Sequence, residues 1–104
     1  MPNIGCNLNL PNSCAQNVHA DGNFASQFLI VNVAPIDTDL ENGAMEATPG
    51  THLREYKYWQ YALSGKPALR MRMSAGDVII RLSSLWHRGM PNRSKTVRPM
   101  LAFT

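Results

Sequence analysis

A chain of 104 residues has room for one domain, 1–104, and one small hydrophobic core. Its 44% hydrophobic and 16% charged residues exclude a disordered segment, and residues 28–31, its longest apolar run, are too few to span a bilayer. The net charge of +3 hides an uneven layout: residues 1–53 contain no Lys or Arg, and all ten basic residues lie between Arg54 and Arg98. No adjacent basic run or nucleic-acid motif accompanies that charge, so it reads as an acidic and a basic segment pairing in one fold, or as a basic wall facing an anionic ligand, rather than as a nucleic-acid surface. Cys6 and Cys14 form no CxxC pair and read as free thiols. With no signal peptide visible, the expected location is the cytoplasm.

In chain order, apolar patterning predicts short strands over 4–10, 27–34, 44–48, 68–73, 77–82 and 97–103. Turn chemistry separates them: Pro11-Asn12-Ser13, Asp21-Gly22-Asn23, Glu41-Asn42-Gly43, Pro49-Gly50 and Ala75-Gly76-Asp77. A loose helical stripe, Leu53, Tyr56, Trp59, Tyr61 and Leu63, predicts one helix over 52–63. Many short strands at close spacing imply an all-β sandwich or barrel. The first strand begins at once and the last runs to the final residue, which leads us to expect a core incomplete at both ends. Oligomeric state is not readable, although an unfinished barrel exposes strand edges that favour association.

Within this pattern, Gln16-Asn17-Val18-His19-Ala20-Asp21-Gly22 sets a histidine and an aspartate two residues apart. In extended chain, residues i and i+2 share a face, so His19 and Asp21 can reach one point. A third ligand is offered by His87 in Trp86-His87-Arg88-Gly89, after the strand 77–82. Two imidazoles and a carboxylate make the facial set that holds iron(II) with positions left open. The three residues alone also fit ordinary core and surface roles. Arg98, eleven residues past His87, reads either as a surface cation or as a fork that grips a carboxylate through paired hydrogen bonds.

Taken together, His19-x-Asp21, the run Glu41-Asn42-Gly43 through Pro49-Gly50-Thr51-His52, Ala75-Gly76-Asp77, Trp86-His87-Arg88-Gly89-Met90-Pro91-Asn92-Arg93-Ser94 and Arg98-Pro99 resemble the phytanoyl-CoA dioxygenase family in order and spacing, over about residues 10–104. The resemblance implies a double-stranded β-helix, the cupin-like jelly-roll core, and an oxygenase using Fe(II), 2-oxoglutarate and O2 to hydroxylate a small organic substrate. It implies His19, Asp21 and His87 as metal ligands, Arg98 at the distal carboxylate of 2-oxoglutarate, and Asn32 in the cosubstrate pocket. Gln16 becomes a candidate partner for a ligand histidine, while His52 and Trp86 are candidates for the pocket margin, each with a plain structural alternative. Asn42-Gly43, Pro49-Gly50, and Asn92 with Ser94 read as turn and loop structure. The rival readings are a cupin-like barrel that uses its metal for another reaction, and a catalytically silent fragment that serves as a binding or oligomerising module.

Overall fold

The computed structural model describes residues 3–104. Seven strands form: β1 (Ile4–Asn9), β2 (Leu29–Val33), β3 (Glu46–Ala47), β4 (Leu69–Arg70), β5 (Val78–Leu82), β6 (His87–Arg88) and β7 (Arg98–Phe103). They make two antiparallel sheets, ordered β1-β7-β2-β5 and β4-β3-β6. The two face each other across a cavity of about 640 Å3, the arrangement of a jelly-roll. All six strands expected from the sequence are present. Two are clipped: 44–48 becomes β3 and 68–73 becomes β4.

Strand alternation decides what faces the cavity. On the inner face of the larger sheet, Ile30 pairs with Arg81, Asn32 with Ile79 and Ala102, Asn7 with Met100, and Asn9 with Arg98. This is the polar face of the sheet. The outer face carries the rows Cys6, Leu101, Val33, Val78 and Ile4, Phe103, Val31, Ile80, with Leu8 beside Pro99 and Leu29 beside Leu82. No charged side chain interrupts it, and Ile4, Leu8, Leu29 and Ile80 are all more than half exposed. The core proper is small: Ala34, Met73 and Met100, with Ile79 against them.

Much of the interior is polar and held by side-chain hydrogen bonds. Fully buried Asn92 donates from Nδ2 to the carbonyls of Asn9 and Thr96, both at 2.8 Å, and accepts from Ser94 N at 2.9 Å. This ties the loop after β6 to β1, the capping role its sequence suggested. Among the described residues, no buried side-chain polar atom lacks a partner.

The helix expected over 52–63 is a correction. Thr51–Leu53 is a single 3-10 turn, Arg54 is extended, and only α1 (Tyr58–Leu63) is helical. Gly50 enters the turn with φ +91, Lys57 is extended at the start of α1, and Gln60 Oε1 accepts from Lys57 N at 2.8 Å to begin the helix there. α1 buries none of its residues, so no packed stripe exists to extend it. Tyr61 instead stacks on Trp86 with centroids 4.7 Å apart. No helix among the described residues is long and apolar enough to cross a membrane.

Candidate metal centre

The backbone brings the two histidines together. His19 lies beside β6 as an isolated antiparallel bridge to His87, with His19 N donating to His87 O at 3.0 Å and His87 N to His19 O at 2.9 Å. Directly opposed residues in an antiparallel pair project to one side, and here the rings sit 4.5 Å apart. Two residues on, Asp21 N donates to Ser83 O at 2.8 Å, which fixes the aspartate against the end of β5. The i, i+2 geometry read from His19-x-Asp21 therefore holds, and His87 joins it from the neighbouring strand.

Each imidazole is oriented by its own backbone. His19 Nδ1 lies 2.8 Å from Asn17 O and His87 Nδ1 lies 2.9 Å from Leu85 O. A carbonyl only accepts, so both Nδ1 atoms carry a proton, which leaves Nε2 as the atom each ring can offer a metal. Nε2 of His19 is 3.6 Å from Asp21 Oδ1, and Nε2 of His87 is 3.4 Å from Asp21 Oδ2. One ligating atom from each residue falls within 4.8 Å of the other two. Two imidazole nitrogens and one carboxylate oxygen converging on one point match the donor set of a divalent transition metal with open positions, and iron(II) fits it. Burial pushes His87 below its usual pKa of 6.5, with Arg81 adding to the effect against the opposing pull of the Leu85 carbonyl and Asp21. The ring is thus held in the form that ligates.

Arg98 begins β7 and reaches the same cavity from its floor. It is buried, its Nε donates to Asn42 O at 3.4 Å and its Nη2 to Gly43 O at 3.1 Å, and no described carboxylate lies within 4.0 Å of it. Burial lowers its pKa. A buried guanidinium held only by neutral carbonyls is an electrostatic debit that an anion in the cavity would offset. The Asn42-Gly43 turn, read from sequence as structure, therefore also supplies both carbonyls that aim Arg98. Only glycine suits position 43: φ is +95, and a Cβ would meet Asn9 Nδ2 and stand 2.8 Å from Met90 O.

The remaining sequence candidates divide. Asn32 lines the cavity, but its Oδ1 accepts from Arg81 Nε at 3.0 Å and its Nδ2 points to Leu101 O at 3.4 Å. Gln16 also lines the cavity, yet it accepts from Gly89 N at 2.8 Å and does not serve a ligand histidine, because backbone carbonyls already occupy both Nδ1 positions. His52 is not among the residues lining the cavity; its carbonyl accepts from Ser84 Oγ at 2.9 Å, which is the turn role. Trp86 is buried against Tyr61 and borders a smaller cleft of about 380 Å3 on the other side of Asp21.

Arg81 was not singled out by the sequence reading. It donates from Nη1 to Asp21 Oδ2 at 3.0 Å and lines the cavity with its side chain 9% exposed. The signal was a lone cation inside the apolar run Val78–Leu82, on the face that alternation turns inward.

Comparison with known proteins gives the family and the fold. The sequence model described as phytanoyl-CoA dioxygenase matches residues 3–100. The fold is similar to the crystal structure of AviO1 from Streptomyces viridochromogenes Tue57, with a TM-score of 0.84 and 22% identity over 99% of this chain and 49% of that one. It is also similar to the non-heme alpha ketoglutarate dependent carbocyclase SnoK from nogalamycin biosynthesis (TM-score 0.82, 21% identity, 96% of this chain and 46% of that one). A third match is the epimerase SnoN in complex with Fe3+, alpha ketoglutarate and nogalamycin RO (TM-score 0.80, 20% identity, 96% and 46%). The chain spans less than half the length of each of these three proteins.

Proposed function

The chain belongs to the phytanoyl-CoA dioxygenase family, and from that premise we propose that it carries the metal and cosubstrate core of an Fe(II)- and 2-oxoglutarate-dependent oxygenase that hydroxylates a C–H bond of a small organic molecule. One observation carries the reading. The cavity that holds the His19, Asp21, His87 convergence also holds a buried Arg98 with no carboxylate partner. A dicarboxylate cosubstrate needs both features, a metal at one end and a fixed cation at the other.

In this reading His19, Asp21 and His87 hold the metal, and Arg98 pairs with the far carboxylate of 2-oxoglutarate. When bound, iron(II) with 2-oxoglutarate and O2 supplies the oxidising power, releasing succinate and carbon dioxide and leaving one oxygen atom for the substrate. The protein contributes placement. The carbonyls of Asn17 and Leu85 aim the imidazoles, and those of Asn42 and Gly43 hold the guanidinium. Asp21 also bears on the outcome, because a carboxylate ligand occupies the position that a halide would otherwise take, which favours hydroxylation over halogenation.

The rival cupin-like metal barrel has no use for a buried Arg98. The silent-fragment reading is separated by assay: with Fe(II), O2 and 2-oxoglutarate, the wild-type chain should release succinate slowly even without substrate, and His87→Ala should not. Added chloride should give no chlorinated product. Equal succinate from both proteins would remove the site from the account.

A further inference from the structure

Arg81 has no place in the scheme above, and its position is an energetic oddity. A guanidinium 3.0 Å from a ligand carboxylate repels any divalent cation bound there. It is nonetheless well fixed. Arg81 faces inward from β5, paired in register with Ile30, and its Nε donates to Asn32 Oδ1 at 3.0 Å. Asn32 is itself buried, and its Nδ2 points to Leu101 O at 3.4 Å. Asp21 is thus gripped twice from one strand region, through its backbone by Ser83 O and through its carboxylate by Arg81.

Consider what this leaves a metal. The Asp21 carboxylate has two oxygens: Arg81 Nη1 donates to Oδ2, which also lies 3.4 Å from His87 Nε2, while Oδ1 lies 3.6 Å from His19 Nε2. An unrestrained aspartate can offer both oxygens to one metal and so fill two positions. Resting on the metal-site reading, we infer that Arg81 is a positioning residue which keeps Asp21 a one-oxygen ligand, preserving the open positions that a two-oxygen cosubstrate and O2 together require. Asn32 is the strut that aims it. This assigns Asn32 an indirect role in place of direct contact with the cosubstrate, and it explains why a cation is kept beside a cation site. If Arg81 only neutralised Asp21 in the metal-free protein, the ligand count around a bound metal would not depend on it.

The test counts water on the metal and needs no turnover. Mn(II) is bound to the full chain, and the water-proton relaxation of the complex is measured for wild type, Arg81→Met and Arg81→Lys, with the bound fraction fixed by electron paramagnetic resonance. Three protein ligand atoms leave about three waters on a six-coordinate ion, and a two-oxygen Asp21 leaves about two. The expected result is a relaxivity about one third lower in Arg81→Met at equal occupancy, and a wild-type value in Arg81→Lys, whose ammonium still engages the carboxylate. Equal relaxivity in Arg81→Met and wild type overturns the inference, as does a loss in Arg81→Lys equal to that in Arg81→Met. Should Arg81→Met not fold, Asn32→Ala, which removes the strut, takes its place with the same expected loss, and two waters on the wild-type ion overturn the inference by themselves. A wild-type chain that binds no Mn(II), indistinguishable from His87→Ala, defeats the metal-site reading itself and this inference with it; failure of the Arg81 role alone leaves Mn(II) binding intact.

Discussion

Replacing Arg98 by leucine separates cosubstrate binding from folding. In the ligand-free chain the buried guanidinium is held by two carbonyls and by no carboxylate, so its removal loses two hydrogen bonds but also relieves the desolvation that lowers its pKa. Two bonds from a charged donor at about 1.5 kcal/mol each, set against that relief, predict a stability change of no more than about 3 kcal/mol. Binding of 2-oxoglutarate has no such offset. Truncating one partner of a buried charged pair costs about 2–5 kcal/mol, so the Kd should rise by about 30-fold or more. Arg98→Lys keeps the charge and loses the fork, and should fall between. The assay is calorimetric titration of 2-oxoglutarate into the Mn(II)-loaded chain, paired with urea unfolding of the metal-free chain. An unchanged Kd for Arg98→Leu, or a variant that simply unfolds, would refute the reasoning.

Other consequences are independent of that one. His87 is held below its ordinary pKa of 6.5, so the unfolded chain binds more protons than the native one just below that value; stability should be full above pH 6.5 and decline as pH falls through it. The urea midpoint of the metal-free chain should therefore drop between pH 7.5 and 5.5, and His87→Gln should flatten that dependence; a midpoint that rises would reverse the sign and contradict it. Gly43→Ala places a Cβ at φ +95 and against Met90 O, and should cost at least about 2 kcal/mol, read as a fall in Tm of about 10 °C. It should also weaken 2-oxoglutarate binding, since the Gly43 carbonyl holds Arg98. The apolar outer face of the larger sheet should bind anilinonaphthalene sulfonate with strong fluorescence, and Ile80→Lys, at a position 67% exposed, should lower that signal with little effect on stability.

The parts legible in the sequence were those fixed by local periodicity. His19 and Asp21 share a face because extended chain repeats every two residues, and the six apolar runs became strands for the same reason. His87 is offered as their partner by the residues alone and singled out by the family resemblance, but the bridge that joins it to His19 links segments far apart in the chain and has no local signature. Arg81 and Asn32 depend on the register of β2 against β5, and no local pattern states a register. The carbonyls that aim the imidazoles and Arg98 are main-chain atoms with no residue signature at all. The helix over 52–63 failed for a related reason: its apolar residues mimic a stripe, but α1 buries none of them. Gln16 lines the cavity, while the ligand histidines meet backbone carbonyls, which no side-chain pattern announces.

One cavity holding both a metal and 2-oxoglutarate is the central requirement of the proposed site. Anaerobic addition of Fe(II) and 2-oxoglutarate to the purified chain should produce the visible charge-transfer absorption of the cosubstrate bound to iron through two oxygens, absent in His87→Ala and weakened in Arg98→Leu. A folded wild-type chain that gives no such band, or variants that give it undiminished, would contradict the claim that His19, Asp21, His87 and Arg98 form one site.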